Sequence, residues 1–335
     1  ATAINDFIQG IIMLFGIVAV IAAVIHSKGG FMSALQGLAN VSDPAVSDTP
    51  GIFASFFGPD PFNLLCVVIL TSLGTWGLPQ MVQKFYAIDN EASIQKGTVI
   101  STIFALIVSG GCYFLGGFGR LFSDQIDVKA NGFDSIIPTM LSNLSPALIA
   151  LVVILVLSAS MSTLSSLVIA SSSTLTIDFL KDNFIKNMSD KKQVLYIRIL
   201  VVVFIAISAI LALIQYKSSV TFIAQLMGIS WGALAGSFLA PFMFSLYSKK
   251  VSKASCWACF LFSSVLMLAN IFFRAGFPAW LQSPINCGAF AMFAGMIIVP
   301  VVSLFTPKPD KELVDSAFAC YEKETEVPQK TALGK

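Results

Sequence analysis

The 335-residue sequence has few charged residues. They make up 11% of the chain, whereas a soluble domain carries about 25%. Together with 56% hydrophobic residues and a mean hydropathy of +0.84, this scarcity excludes an ordinary soluble protein and indicates an integral membrane protein. The net charge is only +2, so we expect no nucleic-acid partner.

Histidine is almost absent, and cysteine forms no ligand pattern. The one histidine, His26, excludes a site built from several histidines and argues against a histidine-based catalytic centre. Cys256 and Cys259 are spaced as CxxC at the start of an apolar run, without further ligands nearby, so we predict no metal or redox role for them. An intramembrane enzyme is a weaker alternative, because no paired carboxylates lie inside an apolar run. We predict that the chain is not an enzyme.

Long apolar runs are what the sequence has in abundance. A bilayer core of about 30 Å needs about 20 apolar residues per helix, and eight segments meet this requirement, the second with an interruption. We therefore predict an all-α polytopic membrane protein, with one transmembrane domain over residues 1–306 and a polar tail over 307–335. The eight segments are about 7–26, 62–88, 98–118, 147–178, 197–215, 221–246, 256–273 and 285–305.

The positive charges are distributed unequally between the two sides of the membrane. If the spans alternate in direction, 15 of the 20 Lys and Arg residues lie on the side of Ala1 and the tail. Cytoplasmic loops carry the excess of positive residues. We expect a multi-pass protein of the plasma (inner) membrane, with both ends of this chain in the cytoplasm and the long loops 28–61 and 119–146 outside. Residues 133–143 are expected to form a short helix in the second loop.

The second apolar segment, "LTSLGTWGLPQMVQKF", contains residues that break a helix. Gly74, Gly77 and Pro79 fall within six positions; proline removes a backbone donor and clashes with the preceding turn. Backbone groups freed at membrane depth must be buried in protein or face water, and transporters use such discontinuous helices to bind solutes or ions. A simple proline kink is the alternative.

The fourth segment carries an unusual number of hydroxyl groups. Ser162, Ser165 and Ser166 are spaced to share one helix face, and the carbonyl of Ala159 would become accessible if the helix were locally loosened. Uncharged oxygens suit a hard monovalent cation. The alternative is that hydroxyls bond to their own helix and permit close packing, which is the interpretation that we adopt for residues 171–174.

One carboxylate, Asp6, lies at the start of an apolar run without an obvious solvated context. An ionisable residue within a span is a candidate for function. An acidic residue at a helix start is also favoured by the helix dipole. From the residues alone, an ion ligand and a helix cap are equally good interpretations of Asp6.

Three stretches of the sequence resemble the sodium:solute symporter family. They are "INDFIQGIIMLFG", "GTWGLPQMVQKFYAI" and "SASMSTLSSLVIASSSTLTIDF", and with the spacing of the spans the resemblance covers about residues 1–305. The third stretch, which ends with the acidic Asp178, is the most specific. Two positions depart from the family pattern: Gln80 stands where histidine is frequent, and Lys84 where arginine is frequent.

The resemblance implies two inverted five-helix repeats that alternate in access around a site at the membrane midplane. It implies sodium-coupled symport of a small organic solute, which would be an amino acid, a carboxylate or a sugar. It also assigns residues to a main sodium site, to a second sodium site that shares Ser162, and to the solute, with Gln225 the weakest of these assignments. The residues are Ala159 (through its carbonyl), Ser162 and Thr163 for the first site; Asp6, Ser165 and Ser166 for the second; and Ser72, Thr75, Trp76, Gln80 and Gln225 for the solute.

The resemblance also implies that core helices are missing from this chain. The first span corresponds to the last helix of the first repeat, spans two to six to the second repeat, and the last two spans to accessory helices. We therefore expect the C-terminal part of a transporter, with the missing N-terminal helices and the lipid bilayer as partners. The alternatives are a chain that is inactive alone, one half of a split transporter, or a symporter-like membrane sensor.

Overall fold

A computed structural model describes residues 2–85, 88, 90–126, 132–142, 144–218 and 223–322. Within the helices, the side chains at positions 2–6, 83–85, 91, 162, 218 and 322 are outside the description. The predicted all-α fold is confirmed: the described residues form helices and turns, and the only β-type pairing among them is an isolated bridge between Asp43 and Ser47.

Twelve α-helices are described, and seven helical segments are long and apolar enough to cross a membrane. The α-helices are α1 Thr2–Ser27, α2 Phe31–Asn40, α3 Pro61–Ser72, α4 Pro79–Phe85, α5 Glu91–Gly117, α6 Ile136–Ser142, α7 Pro146–Thr174, α8 Asp190–Ser218, α9 Ile223–Tyr247, α10 Lys253–Phe272, α11 Pro284–Phe305 and α12 Lys311–Phe318. Shorter 3-10 helices cover Ile52–Ala54, Gly74–Gly77, Phe118–Gln125, Phe133–Ser135, Arg274–Gly276, Ala279–Leu281 and Ala319–Glu322.

The predicted interruption of the second segment is confirmed. Helix α3 ends at Ser72, a 3-10 helix covers Gly74–Gly77, and α4 begins at Pro79. Proline suits this first helical position because its missing N–H would have no partner there. With this broken segment, the seven continuous spans account for the eight apolar segments of the sequence.

Residues 28–61, which were predicted as a loop, contain helix α2. Ala34 and Leu38, four residues apart, are both buried in this helix. They pack against Leu115 and Phe118, which lie at the end of α5 and just after it. A polar, glycine-rich loop therefore forms a helix because one of its faces has an apolar surface to cover.

Two compact units can be distinguished by their internal contacts. Unit 1 comprises residues 1–64 and 83–223, and unit 2 comprises residues 65–82 and 224–335. The prediction of a single transmembrane domain over residues 1–306 with a tail from 307 stays a prediction.

The core of unit 1 lies where α1, α2, α5 and α6 meet. Two polar contacts join the loop 28–61 to the residues after α5. Lys28 Nζ donates to the Leu121 carbonyl at 2.8 Å, and Arg120 pairs with Asp43 at 2.7 Å. These two polar contacts thus border the core of unit 1 on the side of this loop. Its buried residues are Ile17, Val20, Val24, Ala34, Leu38, Leu115, Phe118, Phe122, Met140 and Leu141.

Unit 2 is built on close approaches between helix backbones. Gly228, Gly232 and Gly236 recur every four residues along α9, so they share one face. A methyl group added at Gly232 would come within 2.6 Å of the Gly288 Cα on α11. Small residues at such positions let membrane helices approach closely and gain packing energy. Ten of the 22 residues of α11 are buried as a result.

Candidate functional site

Helix α7 carries the hydroxyl-rich stretch. It is a continuous α-helix from Pro146 to Thr174, so it is not interrupted at Ala159, which is half-buried. The departure from α-helical geometry comes later, as a π-helix over Leu175–Lys181 that contains Asp178. Such π turns recur at functional sites in helices. The local loosening that would expose the Ala159 carbonyl is not present at Ala159; the departure from α-helix lies about four turns further along.

The hydroxyl groups assigned to sodium lie on an open part of α7. Thr163, Ser165 and Ser166 are all exposed in this chain. The Ser165 hydroxyl donates to the Met161 carbonyl at 2.8 Å, which leaves its oxygen lone pairs able to accept or to coordinate. The side chain of Ser162 lies outside the description, although its backbone is helical. A face of exposed hydroxyls in an apolar span provides oxygen ligands without a fixed charge.

Helix α7 packs against α1, and one close contact between them lies at Gly16. Gly16 of α1 lies against Leu155 of α7, so close that an added methyl group would come within 2.3 Å of the Leu155 Cδ1. Val152, earlier in α7, packs on the cluster that includes Val20, which lies later in α1. Both observations suit an antiparallel arrangement, in which positions equally far from Gly16 and Leu155 lie at similar heights.

This register brings the backbone position of Asp6 to the height of Ser165. Asp6 lies ten residues before Gly16, and Ser165 lies ten residues after Leu155, so both are about 15 Å along the helix axes from that contact. Asp6 is the fifth residue of α1, beyond its first turn. The side chain of Asp6 is outside the description, so the ion-ligand and helix-cap interpretations of Asp6 both stay predictions.

One polar residue on α1, Gln9, is buried although it was not among the predicted site residues. Only 7% of its surface is exposed, and its side-chain oxygen Oε1 has no hydrogen-bond partner. A buried acceptor left without a partner costs about 1–3 kcal/mol. The glutamine of the "INDFIQG" stretch contributed to the family resemblance, but nothing in the sequence indicated that it is buried.

The broken segment of unit 2 packs against α9 through its second glycine. A methyl group added at Gly77 would lie 2.8 Å from the Leu239 Cβ and 3.0 Å from the Ala235 Cα. Only a residue without a side chain allows this approach. Gly74 is less constrained, because its nearest atoms would be 3.7 Å away. The break is thus buried against protein, as backbone groups freed at membrane depth require.

The residues of the break that were assigned to the solute differ in their hydrogen bonds and in their exposure. The Ser72 hydroxyl donates to the Val68 carbonyl, and the Thr75 hydroxyl donates to the Ser72 carbonyl at 2.7 Å. The Trp76 side chain is 60% exposed, and Gln80 is half-buried. The indole of Trp76 is therefore an exposed aromatic group at the break.

Gln225 lies near the start of α9 and is half-buried. The next residue toward the helix start, Ala224, packs on the cluster that contains Leu70 of α3 and Ala235 of α9. The solute candidates thus all belong to unit 2. The sodium candidates, on α1 and α7, all belong to unit 1.

Several known proteins are similar in sequence to this chain. The model of the sodium:solute symporter family matches residues 1–261 of this chain. The chain is 25% identical over 317 residues to the high-affinity proline transporter PutP of Bacillus subtilis (strain 168), covering 94% of this chain and 63% of that protein.

Two further relatives are sodium symporters. The sodium/pantothenate symporter of Escherichia coli (strain K12) is 25% identical over 275 residues, or 79% of this chain and 53% of that protein. The sodium/proline symporter of Haemophilus influenzae (strain ATCC 51907 / DSM 11121 / KW20 / Rd) is 26% identical over 324 residues, or 94% and 62%. All three are transporters, not enzymes. The chain spans about half to two thirds of the length of these relatives.

Proposed function

Because this chain belongs to the sodium:solute symporter family, we propose that the protein carries out sodium-coupled symport of a small organic solute. The observation that carries the proposal is the exposed hydroxyl face of α7, with Thr163 and Ser165, in a span that is otherwise apolar. An apolar helix gains nothing from several exposed hydroxyls in lipid, whereas a hard cation needs oxygen ligands of this kind.

We assign the residues of α7 and α1 to two sodium ions. The Ala159 carbonyl with the Ser162 and Thr163 hydroxyls would hold the first ion. Asp6 would hold the second together with Ser165 and Ser166, and Ser162 would be shared. The register of α1 against α7 supports the second assignment, because the helical positions 6 and 165 lie at one height.

The solute would bind at the broken helix of unit 2. Trp76 offers an exposed aromatic face, and Gln80 and Gln225 offer amide groups. The relatives' names give proline and pantothenate, and both compounds carry a carboxylate. We therefore favour a carboxylate-bearing solute, with amino acids first among the candidates and sugars last.

Sodium binding would stabilise the conformation that binds the solute, and the sodium gradient would drive uptake by alternating access. The excess of Lys and Arg at the ends of the spans supports a cytoplasmic location for both ends of this chain. The membrane would be the plasma (inner) membrane.

The test is uptake by the protein expressed from its full gene in proteoliposomes. A panel of labelled amino acids, carboxylates and sugars is offered with an inward sodium gradient and, as a control, with an equal potassium gradient. We expect one class of solute to accumulate only with sodium. Accumulation that is equal in both gradients, for any transported solute, would refute sodium coupling.

A further inference from the structure

Hydroxyl groups tie the turn between α9 and α10 to the end of α11. The Ser252 Oγ atom lies 2.6 Å from the Thr306 Oγ1 atom, and the Ser303 hydroxyl donates to the Ser255 Oγ atom at 2.9 Å. The end of α9, the start of α10 and the end of α11 therefore meet on one side of unit 2. Because a span ends where the hydrocarbon core of the bilayer ends, this turn lies at the membrane surface.

Helix α12 is held at the same level as this turn. Lys249, in the turn, has its Nζ atom 2.8 Å from Asp315 Oδ1 and 5.4 Å from the ring centroid of Phe318. Val314 and Phe318, four residues apart, are both half-buried, so this side of α12 faces the protein. Only five residues separate α11 from α12, and they span at most about 18 Å. Helix α12 therefore lies beside the ends of the spans.

A second side of α12 is apolar and exposed. Leu313, Ala317 and Cys320, which we call the exposed stripe, follow each other at intervals of four and three residues, the spacing of an amphipathic helix. Leu313 is 69% exposed, and Ala317 and Cys320 are also exposed. Glu312 and Ser316 are exposed on the polar side of the helix. The helix thus turns an apolar surface away from the protein.

The surroundings of α12 are positively charged. Besides the pair of Lys249 and Asp315, residues 248–253 and 306–315 contain four lysines and two carboxylates, and all six are exposed. Lysines next to the end of a span attract anionic lipids. The lysines are Lys250, Lys253, Lys308 and Lys311, and the carboxylates are Asp310 and Glu312.

We propose that α12 lies in the headgroup region of the adjacent leaflet, with the exposed stripe turned to the acyl chains and the nearby lysines binding anionic headgroups. Leu304 and Phe305, the last residues of α11, are exposed in the same way as Leu313, so apolar surface continues across the end of this span. An amphipathic helix at this depth gains free energy by turning its apolar side into the headgroup and acyl boundary. The inference does not depend on the transported ion or solute.

The experiment measures the depth of single positions of α12 in the full-length protein in nanodiscs. A fluorescent amino acid replaces Leu313 in one sample and Glu312, on the polar side, in the matched control. Lipids brominated on their acyl chains should quench position 313 several-fold more strongly than position 312, and iodide in water should quench position 312 more strongly. Equal quenching by brominated lipid at the two positions would overturn the inference. Weak quenching of position 313 by both agents would also overturn it, because protein would then cover the stripe.

The role of the lysines is tested by lipid composition. Nanodiscs of phosphatidylcholine are compared with nanodiscs that also contain phosphatidylglycerol, which should increase the quenching of position 313 by brominated lipid. Replacing Lys308 and Lys311 by Gln should remove this increase. The control replaces Lys191 and Lys192 by Gln, an adjacent pair in the first turn of α8, and should keep the increase. Quenching that is the same in both lipid mixtures would refute the binding of anionic headgroups, and sodium-coupled uptake would be unaffected by that result.

Discussion

Helices α10 and α11 of unit 2 and helices α7 and α8 of unit 1 are similarly apolar but are packed very differently. Helices α10 and α11 contact each other along their lengths, and α11 buries ten of its residues. Helix α8 has no buried residue at the positions described between 190 and 217. On α7 the described buried positions are Val168 and Ser172, with Thr176 in the π-helix that follows.

The difference follows from residue size and polarity. In unit 2, glycines at four-residue spacing let backbones touch, and the chain supplies its own packing partners. Helix α7 has leucine, valine and hydroxyl residues where α9 has glycine. Its hydroxyl face stays open to a ligand or to another helix. Unit 2 thus buries its helices against each other, whereas α7 keeps most of its surface exposed.

The largest effect should come from breaking the close packing of unit 2. Gly232→Leu would put a bulky side chain where even a methyl group would come within 2.6 Å of the Gly288 Cα. Two backbones cannot move apart without losing the contacts around them, so we expect more than about 3 kcal/mol of destabilisation and little folded protein. Gly110→Leu on α5 is the control, because a methyl group added there would meet no atom within 4 Å. Size-exclusion profiles and melting temperatures in detergent measure both; equal behaviour of the two variants would contradict the packing account.

The contrast between the regions shows which features the sequence can predict. The interruption at Gly74, Gly77 and Pro79 was predictable, because these residues act on their own backbone. Helix α2 was not predictable, because a helix at Phe31–Asn40 depends on the surface that Ala34 and Leu38 cover. The π-helix at Leu175–Lys181 has no local signal either.

In the candidate site, too, some residues could be identified from the sequence and others could not. The hydroxyl stretch and Asp6 were found through residue type and family resemblance, both of which are visible in the sequence. Gln9 was not among the predicted site residues, because the sequence does not show whether a glutamine in a span is buried or exposed. Gln9 is buried because α1 packs against neighbouring helices, and this packing cannot be seen in the sequence.

A second, intermediate effect should come from the open face of α7. Thr163→Ala removes an exposed hydroxyl, and alanine is a good helix former, so expression and melting temperature should hardly change. We expect the sodium concentration for half-maximal uptake by the full-length protein to rise about tenfold, which corresponds to about 1.4 kcal/mol. Ser173→Ala, whose hydroxyl donates to the Ile169 carbonyl at 2.8 Å, is the control and should behave as the wild type. Unchanged sodium dependence in Thr163→Ala and in Ser162→Ala would remove this face from the mechanism.

Asp6→Asn should change coupling and leave the fold intact. Asparagine is also a good helix cap, so a capping role predicts normal transport. A role in the second sodium site predicts fewer sodium ions per solute, measured as the ratio of labelled sodium to labelled solute taken up by proteoliposomes. A normal ratio in this variant would decide for the capping role.

The smallest effect should come from the contact between α12 and the residues just after α9. Lys249 Nζ lies 2.8 Å from Asp315 Oδ1, and its hydrogen bond holds the pKa of the Asp315 carboxyl below its usual value. A lowered pKa means that this contact is present at neutral pH and is lost as the pH falls through that lowered value. Because the pair is exposed, Asp315→Asn should leave the melting temperature unchanged at neutral pH. Hydrogen exchange of α12 should rise in the variant; a clear loss of global stability would show that this contact matters more than its exposure indicates.

The central claim is that the open hydroxyl face of α7 binds sodium together with groups that the full-length protein supplies. The most direct test measures binding of labelled sodium to two purified samples in nanodiscs: the protein from its full gene, and the 335 residues alone. We predict saturable sodium binding by the full-length protein that weakens in Thr163→Ala, and no tight binding by the 335 residues. Equally tight binding by both samples would mean that these helices hold the ion without further ligands and would contradict the account.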